Sequence, residues 1–165
     1  MFTAPVVDAD ADGRPPWLAT AYVPGPSLRD AVHEHGPLPP DVVLTLAAGL
    51  AEALVAIHAA GLVHRDLAPT NVLLAGDGPR VIDFGISRAA DASVLTQTGA
   101  IMGSPGYFSP EQSEGRPVGP SGDVFSLGAV LAFAASGEGP FGGGPAVSRG
   151  AARLPHRRAR GAAVA

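Results

Sequence analysis

An α+β fold is predicted from three features of the sequence. Residues 64–85 alternate short polar clusters with apolar runs, a pattern typical of a loop, a strand, a tight turn, a strand and a second loop. A second strand hairpin is predicted near the N-terminus, where the apolar runs 5–9 and 17–23 are joined by Asp10-Ala11-Asp12-Gly13. Apolar residues at helical spacing then predict helices between and after the two hairpins.

Two helices are expected between the hairpins. Ser27 and Asp30 fit a capping box that opens a short helix ending at Gly36. After a proline-rich step at 37–40, a longer helix with Gly61 as its stop is indicated by apolar residues at helical spacing: Val43, Leu46, Ala47, Leu50, Leu54 and Ile57. We interpret His58, near the end of that helix, as a surface or packing residue rather than a catalyst.

One further long helix is predicted in the C-terminal half. Residues 122–133 form an apolar helical pattern opened by Asp123 at a cap position, and glycines between 137 and 144 end it. Residues 86–110 show no periodicity. Residues 145–165 are rich in arginine and alanine without a packed face, so we expect a poorly ordered tail there.

Composition limits the classes of protein that the chain can belong to. A length of 165 residues fits one domain, and the absence of cysteine excludes disulfides and suits a reducing cytoplasm. No apolar run approaches the roughly 20 residues of a membrane span, so no membrane segment is expected. Residues 1–148 hold 6 arginines against 15 acidic residues, which argues against a nucleic-acid partner, while residues 149–165 hold 5 arginines and no acid. The oligomeric state stays open.

Three polar residues in the segment 64–85 have the chemistry of phosphoryl transfer. Asp66 lies five residues before Asn71 and seventeen before Asp83, so a hairpin between them would hold all three close together. Asp66 can accept a proton from a substrate hydroxyl, while the Asn71 amide oxygen and the Asp83 carboxylate are hard ligands that suit Mg²⁺. The plainer interpretation is a hairpin whose Asp and Asn side chains cap turns.

The order of these motifs resembles that of a known family. His64-Arg65-Asp66-Leu67 precedes Asn71, and Asp83-Phe84-Gly85 and Ser109-Pro110-Glu111 follow in sequence, as in the eukaryotic-like Ser/Thr protein kinases of bacteria. The resemblance implies a protein-kinase-like fold, mainly the helical large lobe at 24–144. A remnant of the small-lobe sheet with the hinge would occupy 1–23, and a tail would occupy 145–165. It also implies phosphoryl transfer from ATP, with Mg²⁺, to Ser or Thr of a protein substrate.

The same resemblance assigns roles to individual residues. Asp66, Arg65 and Asn71 would be catalytic, and Asn71 and Asp83 would hold Mg²⁺. Five residues are expected to bind ATP: Thr20 at the gatekeeper position, Ala21 and Val23 in the hinge, and Leu73 and Asp83.

A regulatory role is implied for the segment between Asp83 and Glu111. Thr96 and Thr98 resemble the paired phosphothreonines of bacterial kinases, and Arg65 would capture the phosphate. Ser104 falls in the substrate-docking loop and is expected to make a structural contact to Asp66. Asp123 resembles the buried aspartate that bonds the backbone of the catalytic loop.

Departures from the family keep other functions open. The sequence has no lysine and no Gly-rich phosphate loop before its first hairpin, and Ala68 stands where Ser/Thr kinases usually carry a lysine. As a truncated piece, the chain is therefore expected to be inactive alone. A pseudokinase or non-catalytic binding module is one alternative. A small-molecule phosphotransferase of the aminoglycoside type shares the catalytic Asp and Asn, but Arg65, Phe84-Gly85 and 109–111 favour a protein kinase.

Overall fold

The computed structural model describes residues 2–83 and 103–141. Their strands and α-helices are, in chain order, β1 (Val6–Asp10), β2 (Trp17–Thr20), α1 (Leu28–His35), α2 (Pro40–Ala59), β3 (Val72–Ala75), β4 (Gly78–Val81), α3 (Pro110–Ser113) and α4 (Pro120–Ser136). The α+β class is confirmed. Thr96, Thr98, the Phe84-Gly85 pair and the predicted tail lie outside the described residues.

Both predicted hairpins form antiparallel pairs. In the first, Asp10 pairs with Trp17 and Val6 with Thr20, and in the second Val72 pairs with Val81. The segment just before the first hairpin also joins the second one, because the Val81 N–H donates to the Phe2 carbonyl at 2.8 Å and the Ala4 N–H to the Val81 carbonyl at 3.2 Å. The second hairpin thereby gains a third extended segment, which the sequence pattern did not indicate.

The first two helices follow the predicted boundary signals closely. The Ser27 hydroxyl accepts from the Asp30 N–H at 3.1 Å, so the predicted N-cap is present. The Asp30 carboxylate accepts from the Ser27 hydroxyl at 2.7 Å and not from the Ser27 backbone N–H of a complete capping box. The following Gly36 has φ 83°, a value that favours glycine at a helix end. Helix α2 starts earlier than predicted, at Pro40, because proline fits the first turn of a helix.

The hydrophobic core lies between α2, α4 and the second hairpin. Helix α2 buries one face, and Val130 and Ala134 of α4 together with Val72 and Val81 pack against it. The buried residues of α2 recur at helical spacing: Leu46, Gly49, Leu50, Ala53, Leu54 and Ile57. This core supports the loops that leave α2 and enter α4.

Helix α4 corrects one sequence-based expectation. It begins at Pro120 with Gly119 as its N-cap, so the predicted cap position of Asp123 is wrong. Asp123 instead lies in the first turn of α4 and is fully buried. A buried carboxylate needs hydrogen-bond donors, which the loop before Asp66 provides through its backbone N–H groups.

Helix α2 bears on the expectation that no membrane segment is present. By length and composition it is apolar enough to cross a membrane, with a mean hydropathy of 2.0 over its most apolar window. The same property is common in core helices of globular proteins, and α2 contributes six residues to the buried face described above. The expected absence of a membrane segment is therefore not confirmed.

Candidate active site

Asp123 of α4 holds the loop that carries Asp66. Its Oδ2 atom accepts from the His64 backbone N–H at 2.8 Å, and its Oδ1 atom accepts from the Arg65 N–H at 2.8 Å. The structure thus shows the contact between Asp123 and the loop backbone. Two charge-assisted bonds from one rigid helix fix the direction in which the loop leaves the core.

His58 makes a third contact to the same carboxylate. Its Nε2 atom lies 2.7 Å from Asp123 Oδ2, and its side chain is 20% exposed. The interpretation of His58 as a surface or packing residue was incomplete, since the side chain joins the end of α2 to the start of α4. Nothing in the sequence signals a contact between residues 65 positions apart.

His64 is fully buried and bonded through both ring nitrogens. Its Nδ1 atom accepts from the Asp66 N–H at 3.2 Å, so Nε2 carries the proton that it donates to the Ile82 carbonyl at 3.1 Å. Burial lowers the pKa of His64, and the Ile82 carbonyl and nearby carboxylates, led by Asp123, only partly oppose this effect. The neutral ring links the loop before Asp66 to the strand end before Asp83.

Asp66, Asn71 and Asp83 are brought to one place by these contacts. The Asn71 Nδ2 group donates to the Asp66 carbonyl at 2.8 Å and to the Asp66 carboxylate at 3.3 Å. The Asn71 carbonyl accepts from the Ile82 N–H at 3.0 Å, which places Asp83 next to the pair. Asp83 has φ 54°, an uncommon value for a residue other than glycine.

The side-chain oxygen atoms of Asn71 and Asp83 fit a magnesium ion carried by a nucleotide. Because Nδ2 of Asn71 is committed to Asp66, the Oδ1 atom is the one that can face a cation, and Asp83 adds an exposed carboxylate. Within residues 2–83 and 103–141 no cluster of three or more His, Asp or Glu forms an all-protein metal cage. Mg²⁺ is usually held by one or two protein groups together with phosphates and water, which matches this set.

A cleft of about 380 Å³ opens beside Asp83. All five residues predicted to bind ATP line it: Thr20, Ala21, Val23, Leu73 and Asp83. It is also lined by Tyr22, which lies within the predicted hinge, and by Gly25 and Ile82, which the sequence did not single out. Gly25 has φ 137°, and a Cβ there would overlap the Leu74 carbonyl oxygen. The Pro24-Gly25-Pro26 run was the available signal for this close approach.

The segment 104–112 approaches the catalytic loop from the other side. The Ser104 N–H donates to Asp66 Oδ1 at 3.2 Å, so this contact uses the backbone rather than the hydroxyl. The Ser126 hydroxyl donates to the Tyr107 carbonyl at 2.8 Å, and the Gln112 side-chain amide donates to the Arg65 carbonyl at 2.7 Å. Sequence reasoning singled out neither Gln112 nor Ser126, because a single polar side chain next to a motif gives no pattern.

Comparison with known proteins identifies the family to which this geometry belongs. The family described as protein kinase domain matches residues 7–155. The chain belongs to the protein kinase family. The predicted resemblance to bacterial Ser/Thr protein kinases and the kinase-like fold are both confirmed.

Three relatives of this kinase domain come from bacteria. It is 64% identical over 139 residues to a probable serine/threonine-protein kinase, PkwA, of Thermomonospora curvata, covering 84% of this chain and 19% of the relative. It is 58% identical over 144 residues to serine/threonine-protein kinase AfsK of Streptomyces coelicolor, covering 87% and 18% of the two chains. Against serine/threonine-protein kinase PknL of Mycobacterium tuberculosis it is 39% identical over 160 residues, covering 96% and 40%. The chain thus spans less than half the length of each of these relatives.

Proposed function

We propose that this kinase domain transfers a phosphoryl group from ATP to a Ser or Thr hydroxyl of a protein substrate. The observation that carries the proposal is the bond between Asn71 and Asp66. This pair lies next to the cleft, because the Asn71 carbonyl accepts from the N–H of Ile82, which lines the cleft with Asp83. A base and two hard oxygen donors in one place are the parts that phosphoryl transfer requires.

Asp66 is assigned the role of orienting and deprotonating the substrate hydroxyl. Its Oδ1 atom accepts from the Ser104 N–H and its Oδ2 atom from Asn71, so the carboxylate is held from two sides. A fixed carboxylate keeps the hydroxyl oxygen in line for attack without reorganisation during the reaction. ATP supplies the phosphoryl group, and Asn71 and Asp83 would hold the Mg²⁺ that would offset the charge of its phosphates.

The hinge backbone is assigned to the adenine ring. The Ala21 N–H donates to the Pro5 carbonyl at 2.8 Å, which leaves the Ala21 carbonyl for a base edge. Neither backbone group of Val23 has a hydrogen-bond partner among residues 2–83 and 103–141. With Leu73, which also lines the cleft, these groups offer two acceptors, one donor and an apolar surface.

A non-catalytic binding module is a second candidate, supported by one property of the sequence. It contains no lysine, and the position after Leu67 is Ala68, only 1% exposed, where Ser/Thr kinases usually carry one. Charge on the ATP phosphates must then be offset by other groups. Because ATP is a cytoplasmic metabolite, we assign the domain to the cytoplasm in either case.

Nucleotide binding tests the site without requiring turnover. We expect ATP with Mg²⁺ to raise the melting temperature of this chain more than ATP with EDTA does, since two donors for the metal are in place. Asp83→Asn should remove that metal-dependent difference, whereas Asp77→Asn, an exposed acid on the same hairpin, should keep it. Equal shifts with and without metal in the parent chain would contradict the assignment of Asn71 and Asp83.

Catalysis is tested after fusion to a small-lobe segment that carries a Gly-rich loop and a lysine. We expect incorporation of phosphate into a generic protein substrate, and Asp66→Asn should lower kcat by about 10²–10⁴-fold. A fused chain that binds Mg²⁺ and ATP but shows no transfer above the Asp66→Asn background would favour the binding module.

A further inference from the structure

We propose that Gln112 is a positioning residue that holds the backbone of the catalytic loop at Arg65. Its Nε2 group donates to the Arg65 carbonyl at 2.7 Å, although the two residues are 47 positions apart. Gln112 lies in α3, directly after Ser109-Pro110-Glu111. The contact therefore joins the end of the segment 104–112 to the residue that precedes Asp66.

Arg65 has a backbone conformation that needs such support. Its φ is 66°, in the left-handed region, which is unfavourable for a residue with a Cβ. Strained conformations persist where the surrounding structure fixes them. Here the Arg65 N–H is bonded to Asp123 of α4 and its carbonyl to Gln112 of α3, so one residue is held at both of its backbone polar groups.

Gln112 is itself held in place by its short helix. The Gln112 N–H donates to the hydroxyl of Ser109, a residue that is fully buried. The start of helix α3 lies close against α4, as the space at Gly122 shows. A Cβ at Gly122 would be only 3.2 Å from the Ser109 hydroxyl. A side chain presented by two packed helices can fix a loop, which a side chain on an exposed segment cannot do.

The contact therefore connects the segment 104–112, where the substrate is expected to dock, directly to the loop that carries Asp66. A shift of α3 would move the Gln112 amide, and with it the carbonyl of the peptide that leads into Asp66. This role in positioning Asp66 rests on the proposed kinase function. The contact itself and its effect on the loop backbone do not depend on that function.

Amide hydrogen exchange of this chain, read by NMR, tests the contact. We compare Gln112→Met, which keeps the length of the side chain but has no donor, with Gln112→Lys, which keeps a donor on a chain one atom longer. Ser113→Ala, at the exposed neighbouring position of α3, is the control. The amides of His64 and Arg65 report on the loop, and those of Leu50 and Leu54 in α2 report on global opening.

We expect Gln112→Met to accelerate exchange at His64 and Arg65 by about threefold to tenfold, the change that corresponds to one lost hydrogen bond. The α2 amides should change less than the loop amides, Gln112→Lys should restore most of the protection, and Ser113→Ala should match the parent. Unchanged loop amides in Gln112→Met would overturn the inference. So would an equal acceleration in the loop and in α2, because that result describes a general loss of stability. Neither readout depends on kinase activity. The inference can therefore fail while the proposed function stands, and the proposed function can fail while the inference stands.

Discussion

The two hairpins of this domain have the same topology but very different surroundings. In the first, Val6, Val7, Trp17 and Leu18 are between 40% and 68% exposed. In the second, Val72 and Val81 are fully buried against α2. Both hairpins contribute to the cleft, since Thr20 ends β2 and Leu73 lies in β3. One wall of the site therefore belongs to the core, and the other is supported mainly by its own strand pairing.

The difference shows where the stability of the site comes from. An isolated two-stranded hairpin is marginal in water, whereas one packed on helices gains the free energy of apolar burial. The second hairpin carries Asn71 at its start and Asp83 after its end, so the groups assigned to the metal are fixed by the core. The hinge side carries only backbone groups and apolar contacts, which tolerate movement.

The largest expected effect comes from removing Asp123. Asp123→Ala leaves the backbone N–H groups of His64 and Arg65 without their acceptor in a buried site and also removes the partner of His58. We expect the free energy of unfolding to fall by about 3–5 kcal/mol. Denaturant unfolding measures it, with Asp8→Ala in the first hairpin as the matched control. Similar losses in the two variants would remove the proposed distinction between the regions.

A pair of valines tests the hairpins directly. Val72→Ala removes a fully buried side chain, so we expect a loss of about 1.5–3 kcal/mol. Val7→Ala removes one that is 68% exposed, and the change should stay within about 0.5 kcal/mol. Both values come from urea midpoints with a common m-value. A cost for Val7→Ala as large as that for Val72→Ala would mean that the first hairpin is also anchored.

The sequence predicts only part of the contrast between the two hairpins. Turn residues and apolar runs predicted both hairpins, and helical spacing predicted the buried face of α2. The motif order placed Asp66, Asn71 and Asp83 together, since all three lie within one hairpin and its flanking loops. Local patterns carry this information because they reflect the period of each element.

The contacts between distant segments were not predictable in this way. His58 with Asp123 and Gln112 with Arg65 depend on how α2, α3 and α4 pack, and a single polar side chain carries no periodic signal. The resemblance to the kinase family did indicate a buried Asp123 bonded to the loop backbone, whereas the residue pattern alone placed it at a helix cap, because an acid near a helix start is also typical of an exposed cap. Tertiary packing decided these positions.

A pH dependence should arise from the anchored region. Burial lowers the pKa of His64 in the folded protein below its unfolded value of about 6.5. The unfolded chain then binds more protons than the folded one as the pH falls below that value, so acid destabilises the fold. The slope contributed by this one residue is at most about 1.4 kcal/mol per pH unit.

Melting temperatures between pH 7.5 and 5.5 measure this slope. The matched variant is His64→Gln, which can still donate to the Ile82 carbonyl and accept from the Asp66 N–H but does not titrate. All other titrating groups are common to both proteins, so the difference in slope reports on His64. A parent and variant with parallel pH profiles would show that the buried imidazole does not couple folding to pH.

The smallest effect is expected from the surface charges of the second hairpin. Arg80 on β4, whose side chain is 16% exposed, pairs with Asp77 in the turn, whose side chain is 72% exposed. Exposed ion pairs contribute about 0–1 kcal/mol and weaken further in high salt, so Asp77→Asn should change the free energy of unfolding by no more than that. Glu114→Gln, which breaks the exposed pair of Glu114 with Arg116, should give a similar small value. If Asp77→Asn instead costs as much as Val72→Ala, the turn rather than the core anchors this hairpin, and the position of Asp83 would depend on a surface contact that salt can screen.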